Sequence, residues 1–321
     1  MRRVLCILAL VSVFSFCARA GEIVKLRMGL DPGNASIEYE ASMEFINGVA
    51  KRIGGRVDIQ MFAGGQLGDD RALLEQISAG VLDLGQGDIG RWQLWIPYAD
   101  IFGLPYIFDS YQHIFRTLDG EEGRNYKKQM LDQGWRVLSV AYNGTRQTSS
   151  NRAITSLDDM KGLKLRVPNA TANMNFAKFT GASPTPMAFN EVYMALKTGA
   201  VDAQENPLPA VLAMKFYEVQ KYISMTSHII NCKFFVASEE TWRKLPGDIR
   251  KAMEESAAEA ARFQTERFVR QEKELTSFFR EKGLVINEPD LEPFRAACKP
   301  IADEYVAKFG DKLYAAAMAA R

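Results

Sequence analysis

The chain has 321 residues and carries 40 Lys and Arg against 39 Asp and Glu, with two histidines and four cysteines. A near-neutral chain without a basic run offers no surface to a nucleic acid, so we expect no such partner. The motifs G-x-S-x-G, H-E-x-x-H and Walker A are absent, and His113 and His228 are expected to be structural. We therefore predict no metal, no cofactor and no catalytic residue, although a catalytic carboxylate pair stays open because acids are plentiful.

The first twenty residues are typical of a secretory signal peptide, so 1–20 are predicted to be cleaved off. Arg2 and Arg3 precede an apolar run over 4–16, and Ala18-Arg19-Ala20 fits the cleavage pattern. The apolar run is too short to cross a bilayer comfortably. Cleavage removes three arginines and no acid, which leaves 37 basic and 39 acidic residues.

The mature sequence begins with a β-α-β-α-β pattern that predicts the first of two α/β domains. Alternating apolar residues indicate strands, and apolar stripes bounded by a polar cap and a glycine indicate helices. The predicted strands are Ile23–Gly29, Val57–Phe62 and Leu82–Gly85, and the predicted helices run from Ser36 to Arg52 and between Asp69 and Gly80.

The segment Gly85–Gly90 matches the G-x-G-x-x-G pattern of dinucleotide-binding proteins, and Asp109 lies near the distance expected for the acid of that fingerprint. The fingerprint belongs to the turn between a first strand and a helix. Here the match follows a third strand, and Pro97 allows at most two helical turns. We therefore predict that this segment does not bind NAD.

The middle of the chain predicts a crossing between domains. A strand over 137–142 is predicted to end at a turn, Asn143-Gly144-Thr145, and a strand over Cys232–Ala237 is predicted to return to the first domain. Cys232 is expected to be a small core residue, and with Cys298 it is too little for a disulfide framework.

The stretch from Gly162 to Pro207 predicts the parallel βαβ units of a second domain. Arg166 is its odd residue, because alternation places it opposite the apolar face of its strand and near the edge where ligands of open α/β sheets bind. A solvated surface arginine is the alternative, and spacing does not decide between them. The predicted order is a strand Leu163–Val167 ended by Pro168, a helix capped by Asn169 or Thr171 and ending near Thr180, an extended edge at Ser183–Pro186, a helix from about Asn190 to Thr198, a short strand at Val201–Ala203 and a polar turn at Gln204–Pro207.

Residues Asp248 to Lys282 predict one long amphipathic helix, which Gly283 stops. At 1.5 Å per residue it would be about 50 Å long, more than one small domain. Its apolar spacing is not a sustained heptad repeat, so a coiled coil does not fit. We expect a brace that lies across both domains.

Several segments together resemble the DctP-type substrate-binding proteins of TRAP transporters, and Tyr142–Thr148 and Arg166–Ala170 are most similar to the sialic-acid-binding branch. The resemblance implies an α/β fold of two lobes, the periplasmic-binding-protein (Venus-flytrap) type, with the long helix spanning both lobes. It implies one lobe of 21–143 with 232–271 and another of 144–231 with 272–321. The segments that carry it are Ala63–Arg71, Leu104–Tyr106, Gly162–Pro168, Ser183–Tyr193 and Val201–Pro207.

The same resemblance implies a ligand site. Arg166 matches the arginine that forms a bidentate salt bridge with the ligand carboxylate, which a planar guanidinium fits with two parallel hydrogen bonds. Arg146 matches a second arginine on that carboxylate, and Asn206 matches an amide donor beside it. The remaining implied residues are Asp70 and Asp88 as acceptors for ligand hydroxyl or amide groups, Phe189 packing on the sugar, and Asn169, Ala170 and Arg91 nearby.

Asp31 departs from that pattern, because an amide usually lines the pocket there and an ionised acid cannot donate a hydrogen bond. The resemblance implies a monomeric, non-catalytic protein of the periplasm that delivers an acidic sugar, foremost N-acetylneuraminate, to TRAP membrane permease subunits. Another carboxylate, such as a uronate, an aldonate or a C4-dicarboxylate, is the alternative ligand. An enzyme acting on an acidic sugar is the rival class.

Overall fold

The structure is a computed structural model that describes residues 23–321, so the predicted signal peptide lies outside the described residues. Its strands join one mixed sheet. The strands are β1 Val24–Gly29, β2 Val57–Phe62, β3 Leu84–Asp88, β4 Trp135–Ser150, β5 Lys164–Val167, β6 Ser183–Pro186, β7 Ala203–Pro207, β8 Tyr222–Ser238 and β9 Val285–Asn287.

Helices pack against this sheet. They are α1 Ile37–Ile53, α2 Asp70–Ser78, α3 Tyr111–Asp119, α4 Glu121–Asp132, α5 Thr171–Phe179, α6 Val192–Thr198, α7 Leu208–Ala213, α8 Glu239–Lys244, α9 Gly247–Glu281, α10 Glu292–Phe309 and α11 Lys312–Ala319. Short 3₁₀ helices lie at Arg91–Leu94, Pro97–Gly103, Leu157–Met160, Phe189–Glu191 and Phe216–Glu218. Within the part of the chain that the structure describes, no helix combines the length and apolarity that a membrane crossing requires.

The strand order shows two lobes joined by two long strands. The order is β2-β1-β3-β8-β4-β7-β5-β6, with β9 paired to β8. β1 is parallel to β2 and β3 at one end, and β5 is parallel to β6 and β7 at the other. β4 and β8 run antiparallel to each other between these groups and pair with strands of both. We call the β1–β3 end the first lobe and the β5–β7 end the second lobe; the α/β prediction is confirmed.

The predicted turn at Asn143-Gly144-Thr145 is wrong, because β4 continues through it. The pairing of β4 with β8 shifts register between Tyr142 and Thr145, which is the signature of a bulge. Gly144 has φ 90°, a conformation that suits glycine. Glu272 of α9 accepts a hydrogen bond from the Thr145 amide at 2.6 Å, so the backbone group freed by the bulge is satisfied. The crossing between lobes is therefore a bent strand.

The polar turn predicted at Gln204–Pro207 is also wrong, because these residues form β7 and are buried. Their polar side chains form hydrogen bonds with residues on other strands. A local sequence pattern does not reveal such distant partners. Similarly, neither Asn169 nor Thr171 caps α5, whose N-cap is Ala170 without a side-chain hydrogen bond. The predicted edge strand Ser183–Pro186 is present as β6.

The third strand begins two residues later and ends three residues later than predicted, and it contains most of the G-x-G-x-x-G match. A 3₁₀ turn of four residues follows it, in place of the long helix that a dinucleotide site needs. Gly87 is required here for packing, since a Cβ would lie 2.8 Å from the Trp92 ring. These glycines therefore serve close packing of strand and turn.

Helix α9 spans both lobes, as predicted. Its first half packs Ile249, Met253 and Ala257 into the first-lobe core with Phe45 of α1. Its second half packs Leu275 and Phe279 into a second-lobe cluster. The lobe boundaries stay a prediction, and within 272–321 the last helix α11 packs against α3 and α4 of the range 21–143. Cys232 and Cys298 are buried free thiols.

Candidate functional site

A cavity of about 140 Å³ lies where the carboxyl ends of the parallel strands of both lobes meet. This edge collects side chains because successive parallel strands end on the same side of a sheet. In the first lobe, Asp31 follows β1, Asp70 begins α2 after β2, and Asp88 ends β3. Asp69, which also lines the cavity, caps α2 by accepting from Ala72.

The second lobe contributes the basic wall. Arg166 lies on β5 directly beside Gln204 of β7, and Arg146 lies on β4 directly beside Pro207. Asn206 stands between them on β7, and its side chain is buried. The polar residues Gln204–Pro207, which were predicted to form a turn, thus lie on the strand between these two arginines.

Arg166 is a buried guanidinium without a counter-ion. It is 2% exposed, and its Nε and Nη2 both donate to the Met187 carbonyl, at 3.2 and 2.7 Å. The ring of Phe189 lies 5.9 Å from its Cζ. Among residues 23–321 no carboxylate lies within ion-pair distance of it, and burial lowers its pKa to about 10. A buried cation of this kind is stabilised by an anionic ligand.

Arg146, in contrast, is already neutralised. Its Nε and Nη2 bind the buried Glu205 carboxylate, and Nη2 also donates to Asn206 Oδ1 at 3.1 Å. Burial alone would raise the pKa of Glu205, but Arg146 and a hydrogen bond from His228 hold it at about 2. Burial lowers the pKa of His228, which stacks on Phe176. Arg146 can therefore offer a ligand a donor, although its charge is shared with Glu205.

The side chains of Arg91 and Asn190 make polar contacts across the cleft between the lobes. The Nε atom of Arg91, in the first lobe, lies 2.6 Å from Asp70 Oδ2 and forms an ion pair without hydrogen-bond geometry. The Nη1 atom of Arg91 donates a hydrogen bond to the Asn169 carbonyl of the second lobe at 2.6 Å. Asn190 of the second lobe donates to Asp31 Oδ1 at 3.5 Å and to the Gly64 carbonyl at 3.4 Å. Of the residues that make these contacts, Asp31, Arg91 and Asn169 line the cavity, so polar contacts between the lobes lie beside the site.

The first-lobe wall also holds a lysine. Lys233 of β8 is the direct cross-strand partner of Asp88, and its Nζ lies 3.9 Å from that carboxylate and 3.8 Å from Glu38. Asn231 Nδ2 donates to Asp88 Oδ1 at 3.1 Å. Burial, with the Asp70 charge, raises the pKa of Asp31 to about 7, against the opposing charges of Lys233 and Arg166.

The structure brings the predicted site residues together. Nine of the ten line the main cavity: Asp31, Asp70, Asp88, Arg91, Arg146, Arg166, Asn169, Phe189 and Asn206. Ala170 lines a smaller neighbouring cavity with Asp88, Arg91 and Arg146. Their contacts with a ligand stay predictions.

Sequence reasoning missed Lys233, Glu38, Asn231 and the Met187 carbonyl. A signal for Lys233 existed, because it is the charged residue inside the apolar strand run Cys232–Ala237. Glu38 lies in the first turn of α1, where acids are common because they complement the helix dipole, so its position gave no signal. Among residues 23–321 no cluster of three or more His, Cys, Asp or Glu side chains is arranged to hold a metal ion.

Comparison with known proteins decides the family. The family described as bacterial extracellular solute-binding protein, family 7 (DctP), matches residues 29–308. The chain belongs to this family. The family and the similar proteins are solute-binding proteins rather than enzymes, which confirms the non-catalytic prediction.

Similar proteins with full-length matches place this family 7 chain among TRAP periplasmic binding proteins. The sialic acid-binding periplasmic protein SiaP of Vibrio cholerae is 41% identical over 304 residues, which are 94% of this chain and 95% of SiaP. A solved TRAP periplasmic solute-binding protein from Polaromonas sp JS666, bound to D-erythronate, has a TM-score of 0.87 at 31% identity, with coverage of 92% and 98%. Another from Roseobacter denitrificans, bound to 3-deoxy-D-manno-oct-2-ulosonic acid, has a TM-score of 0.87 at 30% identity, with coverage of 93% and 99%.

These similarities confirm the two-lobed fold of a TRAP binding protein. Such proteins are periplasmic and act with membrane permease components. The TRAP resemblance of the sequence is thereby confirmed as well.

Proposed function

We propose that this protein captures an acidic sugar in the periplasm, foremost N-acetylneuraminate, and delivers it to a TRAP permease. The observation that carries the proposal is the buried Arg166 guanidinium. Arg91 and Arg146 are each paired with a carboxylate, at Asp70 and Glu205, while among residues 23–321 Arg166 has none. A ligand carboxylate would supply the missing charge through charge-assisted hydrogen bonds.

The guanidinium of Arg166 has donors left for that carboxylate. Nε and Nη2 of Arg166 now share the Met187 carbonyl as acceptor. A ligand carboxylate would bind the edge of the guanidinium that faces away from Nε, where Nη1 and Nη2 each present an N–H group. Arg146 and Asn206 lie on the same wall and would add donors. The ligand would then bridge both lobes, because its body extends toward Asp31, Asp70 and Asp88.

Two comparisons support an acidic sugar as the ligand class. The V. cholerae relative carries sialic acid binding in its name, and it aligns over nearly the whole chain. Solved neighbours hold a four-carbon aldonate and an eight-carbon ulosonate. These ligands share one carboxylate on a hydroxyl-rich body. A cavity in which one unpaired arginine faces several acids is complementary to that combination.

A uronate or aldonate is the second candidate, and Asp31 is the observation that favours it. An amide there can donate to an acyl oxygen, whereas an ionised carboxylate can only accept. Asp31 therefore suits a ligand that presents a hydroxyl at this position. A C4-dicarboxylate fits less well, because its second carboxylate would be repelled by the acidic wall that Asp31, Asp70 and Asp88 form.

Mass spectrometry tests the proposal without assuming a ligand. The protein would be purified natively from the periplasm of cells supplied with mixed sugar acids, and the bound compound would then be released and identified. Recovery of unchanged N-acetylneuraminate supports the proposal, and recovery of a uronate or aldonate supports the second candidate. Recovery of a dicarboxylate, or of a chemically altered sugar acid, would contradict both.

A further inference from the structure

Lys233 is a largely buried cation that lines the ligand cavity. Its side chain is 12% exposed. Its Nζ lies 3.8 Å from Glu38 and 3.9 Å from Asp88, which exceeds the distance of an N–H···O hydrogen bond. Neither carboxylate therefore accepts a hydrogen bond from the ammonium.

The charges around Lys233 make a compact cluster. Burial would lower its pKa, but the carboxylates of Asp88, Glu38, Asp31 and Asp70 together raise it, so the group is an ammonium at neutral pH. Asp70 is already paired with Arg91 at 2.6 Å. Lys233 therefore lies within ion-pair distance of Glu38 and Asp88, and its charge also acts on Asp31, which lines the same cavity.

Such a wall recognises neutral groups that both donate and accept. A hydroxyl accepts from an ammonium and donates to a carboxylate, so it can bridge the two. A ligand carboxylate would be repelled by the acids, and a ligand ammonium would be repelled by Lys233. The cross-strand pairing of Lys233 with Asp88 fixes the lysine on β8, so its position does not depend on a flexible loop.

We propose that Lys233 and Asp31 act as one recognition pair, which reads hydroxyl groups on the body of a monocarboxylate ligand and rejects a second charged group. The inference rests on the proposed function, because it assumes that Arg166 holds the ligand carboxylate. It assigns specificity to the first-lobe wall, opposite that arginine.

The pair should show charge coupling. Lys233→Gln leaves Asp31, Asp88 and Glu38 with one cation fewer beside them, and Asp31→Asn removes one of the carboxylates that act on Lys233. The double variant removes one charge of each sign and keeps groups that donate and accept. Groups whose charges interact show such non-additivity, whereas independent sites add.

A double-variant cycle by titration calorimetry at pH 8 tests the pair. The probes are N-acetylneuraminate, 3-deoxy-D-manno-oct-2-ulosonate, D-glucuronate and succinate. For whichever sugar acid binds the wild type, we expect Lys233→Gln to weaken binding by about tenfold or more, one decade in Kd. We expect the Lys233→Gln/Asp31→Asn variant to regain affinity to within about threefold of wild type. Lys251→Gln, a matched variant of an exposed lysine on α9, should bind as wild type does.

The pH dependence separates recognition from a structural role. The charged groups that influence Asp31 are Asp70, Asp69, Lys233 and Arg166. Because Lys233 lowers the pKa of Asp31, its loss lets Asp31 take up a proton and donate, so the affinity of Lys233→Gln should recover between pH 8 and pH 5.5. The double variant should lack this recovery. A merely structural lysine would lower the melting temperature of the ligand-free protein without this pH signature.

The possible results are distinguishable. Near-native affinity of Lys233→Gln, or a double variant no better than the weaker single variant, overturns the recognition pair. If the cycle holds for D-glucuronate while N-acetylneuraminate does not bind, the pair stands and the sialic-acid assignment falls. A wild-type protein that binds succinate more tightly than the sugar acids, or that binds none of them, contradicts both proposals.

Discussion

Replacing Arg166 by methionine should weaken ligand binding strongly while leaving the ligand-free fold as stable as wild type, or more so. Burial without a counter-ion lowers the pKa of Arg166 to about 10, so the folded state disfavours its charge. Each pKa unit corresponds to about 1.4 kcal/mol, and the opposing loss of the Met187 hydrogen bonds is worth about 1 kcal/mol each. Methionine fills a similar volume without the charge, so the two effects offset or favour the variant.

The substitution of Arg166 reduces the free energy of ligand binding. Truncating one partner of a buried charge pair costs roughly 2–5 kcal/mol, which is about thirty-fold or more in Kd. Arg166→Lys should not restore binding, because an ammonium cannot reproduce the planar fork. Titration calorimetry and thermal unfolding of the same samples separate the two effects, with Arg262→Met on the exposed face of α9 as control. Near-native affinity of either Arg166 variant would refute the role of this residue.

Three further predictions concern lobe closure, the titration of Asp31 and the buried Arg146–Glu205 ion pair. Since Arg91 and Asn190 bridge the cleft beside the cavity, saturating ligand should lower the radius of gyration in small-angle scattering, and identical curves would contradict closure. The raised pKa of Asp31, about 7 against 3.8, means that its contribution to stability is full below pH 3.8 and is lost as the pH rises through 7. The melting temperature of Asp31→Asn relative to wild type should therefore rise between pH 4 and pH 7, and a flat difference would refute the shift. Glu205→Gln leaves the buried Arg146 unpaired and should cost about 3–5 kcal/mol in chemical denaturation, whereas an unchanged midpoint would show that the pair is dispensable.

Much of the fold can be predicted from local sequence patterns, because the caps and apolar stripes that define these elements come from residues close together in the chain. α1 begins with Ser36 as a true cap and ends at Gly54 in the left-handed conformation, as a capped amphipathic helix should. α9 was predicted within one residue at each end because its apolar stripe is long. Its position across both lobes was inferred from length alone.

The errors lie where distant residues satisfy buried polar groups. Gln204, Glu205 and Asn206 form a buried strand because Ser149, Arg146 and His228 supply their hydrogen bonds from other strands. No local rule distinguishes such a strand from a polar turn.

The bulge in β4 escaped prediction for a similar reason. Asn143-Gly144 is a strong turn signal, yet pairing with β8 and a hydrogen bond from the Thr145 amide to Glu272 hold the chain in the sheet. Arg166 illustrates the same limit within the site. Its place on the strand was predicted from alternation, whereas its lack of a counter-ion depends on the whole surrounding wall.

The central claim is that Arg166 and the acidic wall opposite it select a polyhydroxy monocarboxylate, foremost N-acetylneuraminate. Thermal unfolding of the purified protein with a panel of N-acetylneuraminate, D-glucuronate, gluconate, succinate and malate tests it most directly. A ligand at about a thousand times its Kd stabilises the fold by roughly 4 kcal/mol, which shifts the melting temperature by several degrees. We expect N-acetylneuraminate to give the largest shift and the two dicarboxylates to give none. A curve that N-acetylneuraminate leaves unmoved while succinate or malate shifts it would contradict the claim.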